Sequence, residues 1–287
     1  MENIEEKKMI TGYNFLVLMD FSESSYLPLK YAITIAKTIG GQIHVAHISN
    51  PEEIVTTENQ RVGLNALKTE AEKINAKLSS IVEIIIAENV QATYHYSIGN
   101  IIHETKNLIS EINSDLIIIG KKKSANKFSG KLSNYLVNNF DGAVLIIDKD
   151  YEFMPDTRIS LGFSNNKVPP FQNASLIIDL AKHTIPPLTM FTVKTTDEPI
   201  KEMEIPKTWT KSESNNLKIV SKSFQNSSIV KGIIEHASEK KNELLCLNRG
   251  KQKKFFDKSL RRKTNIINEV INDTYIPILI MGRLMTT

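Results

Sequence analysis

NFLVLMDFSESS, residues 14–25, is the stretch of sequence that decides the fold. Its first six residues form a short, continuous apolar run, which is typical of a strand buried on both faces of a parallel sheet. The polar residues from Asp20 to Ser25 then offer several helix N-caps. A helix follows, with Pro28 in its first turn and small apolar residues at helical spacing up to the stop signal Gly40-Gly41. The stretch therefore predicts a strand that leads directly into a helix.

The same alternation of strands and helices continues along the first half of the chain. Further strands are predicted at 43–48, 92–97, 116–119 and 143–147, and helices at about 58–80, after Gly99-Asn100 and before the last strand. Strands that alternate with helices form βαβ crossovers, which favour a parallel sheet covered by helices. The preference for right-handed crossovers then predicts a doubly wound arrangement of the α/β class.

The pattern runs a second time in the second half of the chain. Seven segments correspond in the same order, namely the strands at 158–163, 188–193, 217–224, 243–248 and 277–281, the helix at 174–181 and the turn at Asn226. This order predicts two tandem copies of one domain, 1–150 and 151–287, joined by the polar segment 149–156. The copies differ between strands two and three, where Pro199 and Pro206 predict that the second helix of the second copy is reduced or missing.

Composition places the chain among globular proteins, with 41% hydrophobic and 24% charged residues. No apolar run reaches the roughly 18 residues that a membrane span needs. The first ten residues contain no apolar segment, so we expect no signal peptide. Cys246, the single cysteine, is expected to be a small core residue of a buried strand. These features predict a cytoplasmic protein, and the net charge of +4 is too small to predict a nucleic-acid partner.

Two loops are candidates for a ligand site, because ligands of an open parallel sheet bind beyond the carboxyl ends of its strands. The first is Asp20-Phe21-Ser22, after strand one. The second runs from Gly120 to Lys131 after strand four, contains five lysines and no acid, and leads into a helix. Helix N-terminal N–H groups and lysines favour anions, so this loop predicts a phosphate site. A basic loop that only faces solvent is the alternative interpretation.

These residues resemble the universal stress protein family in its tandem-domain form. The resemblance covers about 13–283 and is most specific in Val17-Leu-Met-Asp20-Phe-Ser22 and in Asp115-Leu-Ile-Ile-Ile-Gly120. It implies a five-stranded parallel sheet, ordered 3-2-1-4-5, in each domain. It also implies that ATP or another adenine nucleotide binds near the strand-one aspartate, with its phosphates on a glycine loop that ends in Ser or Thr.

Carried over residue by residue, Asp20 matches the family's aspartate and Gly120 its first glycine. Lys123 stands at the second glycine position, where a lysine can reach a phosphate but keeps the backbone farther away than glycine does. Counting back from the last strand places Gly130 and Lys131 at the final glycine and the Ser/Thr position, whereas counting forward places Ser133 and Asn134 there. The candidate ligand-binding residues are Asp20, Phe21, Ser22, Gly120, Lys121, Lys123, Ser129, Gly130 and Lys131.

The second copy departs further from the family pattern. Gly162 is interpreted as occupying the place of Asp20, and Asn248 that of Gly120, so we expect no nucleotide in this copy. The segment from Asn248 to Thr264 nevertheless carries eight basic residues against the single acid Asp257. Such a run is typical of a solvated face, and an acidic partner that binds it is the alternative.

Signatures of metal binding and catalysis are weak. His44 and His47 are three residues apart on a strand, so they point to opposite faces and cannot share a metal ion. The Walker pattern is absent because Leu132, not Ser or Thr, follows Gly130-Lys131. No set of carboxylates for Mg²⁺ accompanies the loop. The sequence therefore predicts no metal site and no catalytic residues.

Three functional hypotheses follow. The family resemblance favours a non-catalytic stress-response module whose first domain binds ATP or another adenine nucleotide. The alternative is a nucleotide-independent interaction protein whose basic loops bind an acidic partner, and a nucleotide-hydrolysing enzyme is the least favoured. The resemblance also implies that the last strands of the two copies, 143–147 and 278–281, pair within the chain, and an additional homodimer is compatible with the sequence.

Overall fold

The structure is a computed structural model that describes residues 12–121, 123–124, 127–128, 130–148, 156–163, 174–195, 205, 217–238, 242–248 and 258–282. At 123–124, 127–128 and 258–265 it describes the backbone alone. The chain forms two compact units that divide between Ile118 and Ile119.

The first unit contains a parallel sheet and four helices. Its strands are β1 (Tyr13–Leu18), β2 (Gly41–Ser49), β3 (Gln91–Ile98) and β4 (Leu116–Gly120), and its helices are α1 (Glu23–Ile39), α2 (Pro51–Ile54), α3 (Gln60–Ala87) and α4 (Ile101–Ile112). The strand order is β3-β2-β1-β4, and β4 pairs with β1 as far as Ile118. The predicted α/β class is confirmed, together with the order 3-2-1-4 of the first four strands.

Strands β1 and β4 of this unit are apolar in sequence because their side chains are buried. Phe15, Leu16 and Val17 of β1 and Ile117 and Ile118 of β4 are fully buried. Burial of each such side chain stabilises the fold by about 1.5–3 kcal/mol. Because the strand interiors are filled by hydrophobic side chains, polar groups on the central strand β1 are displaced to its ends, and ligand chemistry is expected there.

Helix α3 is longer than the helix predicted at 58–80. The Asn59 side chain caps it by accepting hydrogen bonds from the backbone N–H groups of Arg61 and Val62. Its buried face continues through Ile81 and Ile85, and the helix ends at Ala87, about two turns beyond the predicted end. The polar pair Ser79-Ser80 interrupts the apolar pattern and so suggests an earlier end of the helix. The apolar residues nevertheless keep their helical spacing on both sides of the two serines.

The second unit repeats the architecture. Its strands are β5 (Lys123–Ser124), β6 (Lys127–Phe128), β7 (Ala143–Ile147), β8 (Arg158–Phe163), β9 (Leu188–Lys194), β10 (Ile219–Gln225), β11 (Glu243–Asn248) and β12 (Ile278–Met281), and its helices are α5 (Lys131–Asn139), α6 (Ala174–Lys182), α7 (Ile229–Ser238) and α8 (Lys258–Asp273). The short strands β5 and β6 form a separate antiparallel hairpin. The large sheet has the order β10-β9-β8-β11-β12-β7, so the order 3-2-1-4-5 predicted for the second copy is confirmed.

The last strands of the two copies pair with each other, as predicted. β7 and β12 are antiparallel, with Ile146 opposite Ile278 and Val144 opposite Ile280. All other pairs of neighbouring strands in the sheet of the second unit are parallel. Because β7 pairs with β12, it belongs to the second compact unit, and the boundary between the units differs from the repeat boundary at 150/151 that the sequence predicts.

One interpretation of the second copy is wrong. Gly162 does not occupy the place of Asp20, because it lies inside β8, whereas Asp20 follows the end of β1. A Cβ atom at Gly162 would come within 3.0 Å of the Phe191 ring and 3.1 Å of the Leu247 side chain, so close packing explains the glycine. The chain after Phe163, from 164 to 173, and most of the segment predicted to lack a helix, 196–204 and 206–216, lie outside the described residues.

A buried polar cluster joins α7 to the sheet of the second unit. The Ser160 hydroxyl donates a hydrogen bond to the Glu243 carboxyl group, and His236 Nε2 lies 3.3 Å from Ser160 Oγ. The His236 ring lies 4.3 Å from the Phe191 ring and 5.0 Å from the Phe224 ring, measured between centroids. Buried polar groups need such partners, so the cluster ties β8, β11 and α7 together.

Cys246 is confirmed as a buried residue of a central strand. It lies on β11 and has no solvent exposure. Burial, followed by the neighbouring Glu243 carboxylate, raises the pKa of the Cys246 thiol far above its usual range. A thiol reacts through its thiolate, so this residue is protected from reagents while the second unit is folded.

Candidate functional site

The turn between β1 and α1 holds the first group of predicted site residues together. Phe21 adopts the left-handed conformation with φ 59°, which turns the chain sharply after β1. The exposed Asp20 carboxylate accepts hydrogen bonds from the Ser22 backbone N–H at 3.1 Å and from the Ser22 hydroxyl at 2.5 Å. Ser22 is the N-cap residue of α1 but makes no side-chain cap, because its hydroxyl is directed to Asp20. The turn therefore fixes a carboxylate at the carboxyl end of β1.

Aromatic rings lie beside this turn. The centroid of the Phe21 ring is 4.7 Å from that of His47, at the end of β2. The His47 and Tyr96 rings are nearly parallel, with an interplanar angle of 11° and a centroid distance of 6.1 Å. Lys77 of α3 places its ammonium 5.1 Å from the centroid of the Phe21 ring, which is within the range of a cation–π contact. The carboxyl ends of β1, β2 and β3 thus share a carboxylate, three rings and an ammonium group.

The orientation of the His47 ring is fixed by two hydrogen bonds. Nδ1 lies 2.8 Å from the Met19 carbonyl oxygen, and because a carbonyl can only accept, Nδ1 carries a proton. Nε2 lies 3.1 Å from the Ser49 hydroxyl. The ring is therefore held against the end of β1. His47, Tyr96 and Lys77 are not among the residues predicted for the site, although His47 and Tyr96 lie near the carboxyl ends of strands, where ligand contacts are expected.

The second group of predicted site residues belongs to the second unit. Gly120 ends β4, and Lys123 lies on β5 with its backbone described. Gly130 is exposed, has φ 125° and ψ 137°, and precedes the first residue of α5, Lys131, which is also exposed. This backbone conformation is essentially restricted to glycine, so Gly130 sets the direction in which the first N–H groups of the helix point. Ser129 lies outside the described residues.

Lys121 differs from the other predicted site residues because its side chain is buried. Its ammonium lies 3.0 Å from the Asp148 carboxylate and donates to the Thr274 carbonyl oxygen at 2.7 Å. The exposed fractions of the Lys121 and Asp148 side chains are 2% and 1%. The ring of Tyr275 lies 5.7 Å from the ammonium. We leave Lys121 out of the proposed ligand contacts, because its charge is already compensated inside the second unit.

Other functional classes receive little support from the described residues. His44 and His47 point to opposite faces of β2, as their spacing predicts. His44 contacts its register partner Thr93 on β3, and His47 stacks on its own register partner, Tyr96. Within the described parts of the chain, no three or more His, Cys, Asp or Glu side chains come together to hold a metal ion. None of the described helices combines the length and apolar character that crossing a membrane requires. The basic residues at 249–257 lie outside the described residues.

The fold and the position of these polar groups define a class of protein. The chain is an α/β protein with largely parallel sheets, and its candidate ligand-binding groups lie at the carboxyl ends of the strands, as in ligand-binding doubly wound domains. Residues 13–148 match the model of the universal stress protein family. The first half of the chain is therefore similar to that family over these residues, and the second half repeats the strand order of the first.

Solved structures are similar to this chain in fold over nearly its whole length. A universal stress protein from Archaeoglobus fulgidus DSM 4304 is similar with a TM-score of 0.69 and 14% sequence identity, over 94% of this chain and 96% of that one. A putative universal stress protein from Pseudomonas aeruginosa UCBPP-PA14 gives 0.52 and 14%, over 94% and 93%. A protein of unknown function from Pseudomonas aeruginosa PAO1 gives 0.55 and 13%, over 94% and 92%. At these identities the similarity establishes the fold, and no curated protein matches the sequence.

Proposed function

We propose that this protein is a non-catalytic stress-response module whose first domain binds an adenine nucleotide, with ATP as the first candidate. The observation that carries the proposal is the exposed Asp20 carboxylate, which Ser22 holds in place at the carboxyl end of β1. A fixed carboxylate is a good acceptor for the two hydroxyl groups of a ribose. The family resemblance of residues 13–148 supports the choice of nucleotide.

The rings beside Asp20 support an adenosine rather than a plain sugar. Phe21 and His47 present flat surfaces within 4.7 Å of each other, and base–aromatic stacking contributes about 1–3 kcal/mol per base. The ammonium group of Lys77 adds a positive charge beside the same turn. We therefore propose Asp20, Phe21 and Ser22 as contacts of the adenosine, with His47 as a fourth contact that the sequence does not indicate.

The phosphate contacts form a separate part of the proposal. Gly120, Lys123, Ser129, Gly130 and Lys131 are the candidates. Gly130 and Lys131 are supported by their position at the N-terminus of α5, where backbone N–H groups and the helix dipole favour an anion. Ser133 is buried on α5, which favours Gly130 over Ser133 for the position of the last glycine.

Calorimetric titration with ATP and with adenosine tests the two parts independently. Asp20→Asn is expected to weaken both ligands about tenfold or more, because it removes a charge-assisted acceptor without changing the size of the side chain. Lys131→Gln is expected to weaken ATP while leaving adenosine unchanged. Glu83→Gln is the matched control, because Glu83 is an exposed carboxylate near the C-terminal end of α3 and so near the amino end of β3.

The outcomes separate the components of the proposal. If the parent protein binds neither ligand at millimolar concentration, the nucleotide function is refuted. If ATP binds but Asp20→Asn and Glu83→Gln behave alike, the assignment of Asp20 is refuted. The non-catalytic part predicts that ATP is recovered intact after prolonged incubation with the protein, and turnover that Asp20→Asn abolishes would contradict it.

A further inference from the structure

The face of β2 and β3 opposite to His47 carries a second pair of imidazoles. Residue His44 on β2 is in register with Thr93 on β3, so His44, Thr93 and His95 lie on one face of the two strands. His44 Nδ1 lies 3.2 Å from His95 Nε2 and 2.9 Å from the Thr93 hydroxyl. Gln42 lies on the same face, with its side-chain nitrogen 2.7 Å from His44 Nε2.

The spacing of the two ring nitrogens suits a transition-metal ion. An ion bound by two imidazoles at about 2.0–2.1 Å holds their nitrogens about 3.3–3.4 Å apart in tetrahedral geometry and about 2.8–3.0 Å apart at a right angle. The observed 3.2 Å lies between these values. No movement of the strands is therefore needed to bring both nitrogens to one ion.

The surroundings of His44 resemble the outer shell of a metal ligand. His44 is buried to 6% exposure, and a metal-bound histidine is usually oriented by a hydrogen bond to its second nitrogen. Gln42 occupies that position, and a half-turn of its amide group places the oxygen where it accepts the Nε2 proton and leaves Nδ1 free to bind. The negative charge of Glu111, on α4, acts on His44 and favours a bound cation.

Protonation is also compatible with metal binding. A hydrogen bond between two ring nitrogens requires that at least one of them lacks a proton. The two lone pairs must converge on an ion instead of facing one another, and the partly exposed His95 ring can supply that rotation while Gln42, at Nε2, holds His44.

We propose that His44 and His95 form a binding site for a divalent transition-metal ion that prefers imidazole, such as Cu²⁺ or Zn²⁺, on the face of the sheet opposite to the proposed nucleotide site. Water and the Thr93 hydroxyl complete the coordination. Two protein ligands make a site of moderate affinity that exchanges its ion, since structural zinc sites use four ligands. Affinity is expected to fall in acid, because protons compete with the ion for the imidazole nitrogens.

The test is a calorimetric titration of the full chain with Cu²⁺, and in parallel with Zn²⁺, in a buffer that does not coordinate metals. The parent protein is expected to bind one ion per chain at this site, with a paramagnetic resonance spectrum of the copper form that shows two nitrogen ligands. His95→Gln, at a partly exposed position where folding should be retained, is expected to lower the affinity by about tenfold or more. His103→Gln is the matched control, because His103 is exposed on α4.

Each other outcome overturns the proposal. It fails if the parent binds no ion, if His95→Gln binds as tightly as the parent, or if His103→Gln loses as much affinity. Circular dichroism and the thermal midpoint of His95→Gln verify that the variant is folded. Retention of ATP binding in His95→Gln is expected, so failure of the metal site and failure of the proposed function are distinguishable.

Discussion

Replacement of Lys121 by methionine is expected to destabilise the second unit by about 3–5 kcal/mol. The ammonium of Lys121 lies 3.0 Å from the Asp148 carboxylate, and both side chains are almost completely buried. Methionine matches the length and apolar stem of lysine, so packing is preserved while the charge and the hydrogen bond to Thr274 are lost. The carboxylate then remains in a low-dielectric environment without the Lys121 ammonium, which is the costly outcome for a buried pair.

The same reasoning gives the expected result for the double variant. Replacing Lys121 by methionine and Asp148 by leucine removes both charges together, and such replacements of buried ion pairs range from neutral to stabilising. The double variant should therefore be more stable than Lys121→Met alone, with a coupling energy of about 2 kcal/mol or more. The Thr274 carbonyl oxygen loses its donor in both variants, so this loss does not affect the comparison.

Cys246 offers an assay that reports on the second unit alone. It is the single cysteine of the chain, it lies on β11, and it is fully buried. The rate of its reaction with a thiol reagent, measured across a urea series, gives the free energy of opening around the β11–β12 pair. This local measure avoids treating a chain with two compact units as a two-state system.

Two results would refute the reasoning. One is a loss of less than about 1 kcal/mol on Lys121→Met, since this is the size of an exposed ion pair. The other is a double variant that is as unstable as the single one. A third measurement addresses function, because Lys121→Met should leave the affinity for ATP unchanged if its ammonium serves the fold.

Three further outcomes are expected. Burial and His95 lower the pKa of His44 in the folded state from its ordinary 6.5, so the folded protein binds fewer protons than the unfolded chain. The stability that the neutral His44 ring contributes to the first unit should therefore be fully present above pH 6.5. That contribution should be lost as the pH falls through the folded pKa. Urea unfolding at pH 7 and pH 5 measures this loss, and an equal loss in His44→Gln would show that another group is responsible. Thr105→Val should stabilise the first unit by about 1 kcal/mol, because the fully buried Thr105 hydroxyl has no hydrogen-bond partner among the described residues; a lower thermal midpoint would argue against this. Ser160→Ala should destabilise the second unit by about 1–3 kcal/mol, as judged by Cys246 reactivity, because the buried Glu243 carboxyl group loses a donor; unchanged reactivity would show that the hydrogen bond contributes nothing.

Much of the fold could be predicted from local sequence. The apolar runs at 14–19, 116–119 and 143–147 became strands because each is buried on both faces, and a run of that kind has few other stable arrangements. Gly40, with φ 79°, ends α1 where the Gly40-Gly41 pair predicts it. The extent of α3 could not be predicted as well, because the buried positions Ile81 and Ile85 follow a polar interruption.

The candidate site could be predicted only in part. Asp20 and Ser22 are two positions apart in sequence, and their hydrogen bonds form within one turn, so a local pattern suffices. His47 comes to this turn from another strand, and its contact with the Met19 carbonyl oxygen depends on the register of β1 with β2. The assignments of Asp20, Gly120 and Gly130 to a nucleotide stay predictions until binding is measured.

The sequence by itself determined the duplication, the parallel strands and the turn at Asp20, because apolar periodicity and turn chemistry act over a few neighbouring residues. The tertiary structure alone decided that the Lys121 side chain is buried in an ion pair. In the sequence it lies in a run of three lysines that predicts a phosphate contact. Its partners, Asp148 and the Thr274 carbonyl oxygen, are 27 and 153 positions away in the chain. The His44–His95 pair depends in the same way on the register of β2 with β3. A lysine or histidine has the same local signature whether it faces solvent or a buried carboxylate, and only the packing of distant strands selects between the two.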